Sequence, residues 1–299
     1  MKVLYSIILL TLMLFSCETK RKDGKVHIVA TTGIIADVLR SSLDSSVSVD
    51  ALMGPGVDPH LYKATARDIT TLLQADIIVC NGLHLEGKMS EILKKVGKTK
   101  TVLSMSDYIP EQQLLVVNNG VHDPHCWFNV SIWNKSLQGV LKAIADKYPA
   151  IIEQSKQQSE KYRIQLDSLH EFAKRSIAGI PQKKRFLITA HDAFGYFGKA
   201  YGISVVGLQG ISTLSEYGVQ DVNRISSLIV KNQIPAIFVE TSLSPRSMEA
   251  LLINVKAMNG QVAIGGNLYT DALGASHERA GTYIGMIQHN VKTIIQSLR

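Results

Sequence analysis

The sequence predicts an α/β protein of two similar lobes with parallel sheets, joined by one long rigid helix. Three observations carry this. Strand and helix signals alternate over residues 26–103 and again over 185–298. Between them, residues 131–180 show helical spacing and no strand signal. The 299 residues, 45% hydrophobic and 19% charged, suit about two domains with sizeable cores and argue against disorder.

In order along the chain, residues 26–30 read as a strand, 33–43 as a helix and 47–53 as a strand. Residues 65–74 place apolar side chains on one helical face, and 75–80 form an apolar strand, followed by a short one at 101–103. Residues 132–147 read as one helix. After Pro149, residues 151–180 run without an internal Gly or Pro until Gly179-Ile180-Pro181. Ile164, Leu166, Leu169, Phe172 and Ile177 are expected to form its buried face. At 1.5 Å per residue such a helix is about 40 Å long, suited to bridging two lobes. Strands at 185–189, 204–208 and 236–240 then alternate with helices at 193–201, 219–232, 245–259 and 282–298.

The N-terminus carries a positive Lys2, an apolar run at 3–15, and Leu14-Phe15-Ser16-Cys17. The run is shorter than the roughly 20 residues that span a bilayer and has the length of a signal-peptide core. A small residue directly before a Cys resembles a bacterial lipoprotein signal, with Cys17 as the lipidated first residue. The expected division is signal peptide 1–16, lipidated tether 17–25, N-terminal lobe 26–148, linking helix 149–181 and C-terminal lobe 182–299. Lys20–Lys22 sits beside the anchor, against anionic headgroups or simply solvated. The net charge is +7, but no basic stripe is interleaved with aromatics, which argues against nucleic-acid binding. Cys80 and Cys126 are too few for a disulfide scaffold. Both read as core residues, although Cys126 adjoins His125 and is a ligand candidate.

Among nine histidines, position decides. Asp58-Pro59-His60, Asp123-Pro124-His125, His191-Asp192 and Tyr269-Thr270-Asp271 each fall at or beyond strand ends, where open α/β sheets bind ligands. Two come from each lobe, so only the tertiary fold can join them, in the cleft. Each of these histidines also reads as a helix cap or a partly buried polar residue.

The order of segments is what resembles a known family. Val29-Ala30-Thr31-Thr32, Gly56 to His60, Asn81-Gly82-Leu83-His84-Leu85-Glu86-Gly87 and Asp123 to Trp127 are followed by Ile188 to Phe197, Gly207 to Ser212 and Gly265 to Asp271. Together they resemble the metal-specific solute-binding proteins of bacterial ABC transporters, the zinc and manganese cluster, and most of all its treponemal-type members with three His and one Asp. The resemblance covers nearly the whole mature chain. It implies two α/β lobes joined by one long helix and a metal site in the inter-lobe cleft formed by His60, His125, His191 and Asp271. It implies a lipoprotein held outside the cytoplasm on the cell membrane, acting as a monomer with an ABC permease and its ATPase. Manganese-type members carry Glu where this chain has His191. Three imidazoles and one carboxylate suit Zn²⁺, with Mn²⁺ the alternative. Many zinc-type members carry a loop rich in His and acidic residues; residues 107–122 hold a single histidine, His122, besides ordinary polar residues. His84 and His122 are read as non-ligands, with His122 a candidate approach group or partner of a ligand.

Four protein donors close a tetrahedral shell and leave no place for an activated water, which speaks against a zinc hydrolase. A surface adhesin is the other alternative. Asp192 is read as a cap or as a partner orienting a ligand imidazole, and Glu240 as facing the cleft for the same orienting purpose. Proton competition is expected below roughly pH 6.5.

Overall fold

The computed structural model describes residues 24–117 and 120–299. The signal segment 1–16, Cys17 and the tether up to residue 23 lie outside the described residues. In the first half, β1 (Val26–Thr32), β2 (Val47–Met53), β3 (Ile77–Cys80) and β4 (Thr101–Ser104) form one parallel sheet in the order β2-β1-β3-β4. The period-2 alternation of a strand divides these residues between two cores. Ile28, Ala30, Ile77 and Val79 enter one hydrophobic cluster; Val29, Ile78 and Cys80 enter another. The first is closed by α1 (Gly33–Ser42) and α4 (Val130–Lys147), the second by α2 (Ala66–Gln74) and α3 (Ser90–Val96). Burial on both faces explains why the central β3, Ile77–Cys80, is wholly apolar.

Helix α5 (Pro149–Ala178) spans 30 residues, about 45 Å at 1.5 Å per residue. Pro149 starts it, where a missing N–H costs nothing. Its buried face runs Ile151, Tyr162, Leu166, Leu169, Ala173, Ile177. Ile164, expected on that face, is instead 51% exposed. The inward stripe follows i, i+4, i+7 spacing through Tyr162 and Ala173, and Ile164 falls outside it.

Beyond α5 the second half comprises β5 (Phe186–His191), α6 (Gly195–Tyr201), β6 (Ser204–Gln209), α7 (Val219–Asn232), β7 (Ala236–Glu240), α8 (Arg246–Ala257), β8 (Ala263–Leu268) and α9 (Tyr283–Leu298). Strand β5 pairs with β6 and β7 with β8, all parallel, and β5 lies alongside β7. By hydrogen bonding these are two two-stranded sheets, β5-β6 and β7-β8, where the first half has one sheet of four. Ile188, Ala190 and Ile237 pack against Ile225 and Ile229 of α7 and Met248 and Leu251 of α8. The largest core ignores the division into halves: it joins β1, α1 and α4 to α5, α6 and α9. Two elements depart from the sequence expectation. The segments that form α3 and β8 carried no assignment, the first because it is only seven residues long, the second because Gly265-Gly266 interrupts its apolar pattern.

Candidate metal centre

The recurring Asp-Pro-His has a local cause. Asp58 Oδ1 accepts the backbone N–H of His60 at 2.8 Å, and Asp123 Oδ1 accepts that of His125 at 2.9 Å. In both, the carboxylate folds onto the residue two positions ahead and turns the histidine inward. Their remaining bonds differ. Asp123 Oδ1 also accepts the Nδ1–H of His125 at 2.7 Å, whereas Asp58 Oδ2 accepts the hydroxyl of Thr213 from the other half at 2.7 Å.

His191 ends β5, two residues beyond the predicted strand. Glu240, the last residue of β7, accepts both its backbone N–H at 2.9 Å and its Nδ1–H at 2.5 Å. Asp271 follows β8. Asn290 of α9 clamps the preceding Tyr269, accepting its N–H at 3.0 Å and donating to its carbonyl at 2.7 Å. The indole of Trp127 donates to the Thr270 carbonyl at 3.1 Å.

These turns and strand ends bring His60, His125, His191 and Asp271 together, each buried, with one donor atom apiece and all four atoms within 4.8 Å of one another. The ring nitrogens Nε2 of His60 and His125 face each other at 3.2 Å. Asp271 oxygens stand 3.8 Å from His60 Nε2, 3.5 Å from His125 Nε2 and 3.4 Å from His191 Nε2. A tetrahedron with metal–donor bonds of about 2.0–2.2 Å has edges of roughly 3.3–3.6 Å; these four separations, which involve both Asp271 oxygens, lie around that range, and the donor set as a whole fits within 4.8 Å.

The proton inventory points the same way. An ionised carboxylate can only accept, so Asp123 and Glu240 fix the Nδ1–H tautomers of His125 and His191 and aim the Nε2 lone pairs at the centre. Two lone pairs at 3.2 Å repel unless a cation or a proton lies between them. His191 Nε2 and both oxygens of Asp271 are buried without a hydrogen-bond partner. A carboxylate so enclosed carries a penalty of several kcal/mol that only a nearby positive charge offsets. Burial pushes His60 down to about 3, only partly offset by Asp271. Burial opposes the ionised forms of His191 and Asp271, but their charges outweigh it. Glu240 and Asp271 hold His191 well above the usual histidine range, and the imidazoles, His191 foremost, hold Asp271 well below the usual carboxylate range. The donor set is therefore built for a cation and fits a divalent transition metal.

Other candidates stand apart. His84 and His122 line a separate open pocket of about 420 Å³ with Asp107. The Cys126 thiol is buried against Asn81 Oδ1 at 3.8 Å, and burial pushes its pKa far up, so it stays neutral. Asp192 makes no hydrogen bond to a site imidazole; the orienting carboxylates are Glu240, as expected, and Asp123, which sequence reasoning did not assign. The second Asp-Pro-His was the signal for Asp123, since its aspartate stands two residues from a candidate ligand.

The family described as ZnuA, zinc-uptake complex component A, periplasmic, matches residues 28–297. The zinc-binding protein TroA of Treponema pallidum is 42% identical over 284 residues, covering 95% of this chain and 92% of that protein. The manganese-binding lipoprotein MntA of Bacillus subtilis is 40% identical over 299 residues, covering 98% of each. The solved structure of the periplasmic zinc-binding protein TroA from Treponema pallidum superposes with a TM-score of 0.90, covering 92% of this chain and 99% of that one. The identities to a zinc-binding and to a manganese-binding protein are thus nearly equal.

Proposed function

The chain belongs to the ZnuA family, and from that premise we propose that it captures a divalent transition metal outside the cytoplasm through His60, His125, His191 and Asp271 and delivers it to an ABC importer. It is a binding protein, not an enzyme: the family is one of transport components, and four enclosed protein donors leave no open position for a reacting water. Permease and ATPase are its partners in import. The observation that carries the site assignment is the convergence of four buried donor atoms from four distant segments, with those of His191 and Asp271 otherwise unpartnered.

Zinc is the favoured cargo, because three imidazole nitrogens and one carboxylate suit it. Manganese is the alternative, supported by the similarity to MntA. Acylation of Cys17 after removal of residues 1–16 anchors the chain, and the functional unit is a monomer. No helix among the described residues is long and apolar enough to cross a membrane, which agrees with an anchor of this kind. The working division keeps lobes 26–148 and 182–299 joined by 149–181, within which α5 occupies Pro149–Ala178.

The test is metal analysis of the soluble chain from Asp23 onward, followed by zinc–manganese competition. One tightly held equivalent is expected. His60→Ala and Asp271→Ala should each weaken it about 100-fold or more, roughly 2.7 kcal/mol. Affinities within a few-fold of wild type in both variants would overturn the ligand assignment.

A further inference from the structure

We propose that the Trp127 indole is a strut between the two halves that fixes His125 against Asp271 and so narrows the site to compact, zinc-like coordination. This rests on the four-ligand reading above and deepens it. Trp127 stands two residues beyond His125 and is 1% exposed. Its ring meets the His125 imidazole edge-on, centroids 5.2 Å apart. Its N–H reaches across to the carbonyl of Thr270, the residue before Asp271, at 3.1 Å. From behind, the Tyr283 hydroxyl donates to the Trp127 carbonyl at 2.6 Å, and Tyr283 is itself tied to α1, its N–H donating to Asp37 at 2.7 Å. One side chain thus touches a ligand from the first half and holds the backbone beside a ligand from the second.

The consequence is geometric. His125 Nε2 and Asp271 Oδ1 are 3.5 Å apart, near a zinc tetrahedron edge. Widening that pair breaks a buried hydrogen bond and leaves the Thr270 carbonyl unpaired, because Thr270 is itself fully buried. Manganese favours more donors, oxygen-rich and octahedral, so a held pair penalises it more than zinc. Loosening the pair removes zinc's advantage.

The experiment measures zinc and manganese affinities by chelator competition in wild type and in Trp127→Phe. Zinc binding should weaken about tenfold, the loss of one buried hydrogen bond, while manganese stays within about threefold, so the zinc-to-manganese ratio falls. Trp133→Phe is the control: Trp133 packs 6.3 Å from Trp127, and its indole nitrogen has no hydrogen-bond partner among the described residues, so the ratio should hold. Should Trp127→Phe fail to fold, benzothienylalanine at 127 decides, since it keeps the bicyclic ring and lacks only the N–H. A ratio within twofold of wild type in whichever Trp127 variants fold, or an equal loss of both metals, overturns the strut. Wild type without stoichiometric metal would instead remove the four-ligand reading itself.

Discussion

A proton and a metal ion compete for the same lone pair on His191. Glu240 and Asp271 hold that proton well above the usual histidine range in the metal-free protein, so competition is present at pH 7 and not only below about pH 6.5, as reference values suggest. Affinity should rise with pH up to the raised pKa of His191 and level off above it. His60 adds nothing to this between pH 7 and 4, because burial keeps its ring neutral down to about 3. Metal binding at pH 7 should release about one proton, read by calorimetry in two buffers of different ionisation enthalpy. Glu240→Gln should reduce the release, since the carboxylate that retains the proton is gone. No difference between buffers would contradict this account. Of the residues involved, the four donors stood out by position and resemblance. Asp123 was marked only by the repeated Asp-Pro-His, and Trp127 did not stand out, because its role is a bond to a distant carbonyl that has no sequence period.

At the scale of elements, the alternation of strands and helices was legible because apolar periodicity survives wherever a segment buries a whole face. It was not legible in β8, whose glycines serve packing. A Cβ on Gly265 would lie 2.7 Å from Phe238 Cε1 and 2.8 Å from Ser297 Cβ, so the strand can approach α9 only without a side chain there. Gly265→Ala should destabilise the protein by about 1–3 kcal/mol through overpacking, outweighing the gain of about 0.4–1 kcal/mol from a stiffer unfolded chain. Urea unfolding checks it; an unchanged midpoint would show that the strand shifts freely. The face of α5 was half legible: the expected set included Ile164, which is exposed, and passed over Tyr162, whose phenol is buried.

For the whole molecule, the decisive feature is a core that runs through both halves along α5 and α9. Opening the cleft as a wide hinge would tear that core, at about 25 cal/mol for each Å² of apolar surface exposed. The expected response to metal is local. Small-angle scattering of metal-free and metal-bound protein should differ by less than about 0.5 Å in a radius of gyration near 19 Å, and a change of several ångströms would mean that the shared core does not hold the halves. The burial of all four donors bears on time as well as on affinity. For nanomolar binding and an association rate of about 10⁶ M⁻¹ s⁻¹, spontaneous escape takes on the order of a thousand seconds. A carrier that waits so long is a store unless something shortens the wait. In the proposed role the importer must therefore do mechanical work on its carrier, prising the donors apart, before any ion reaches the channel.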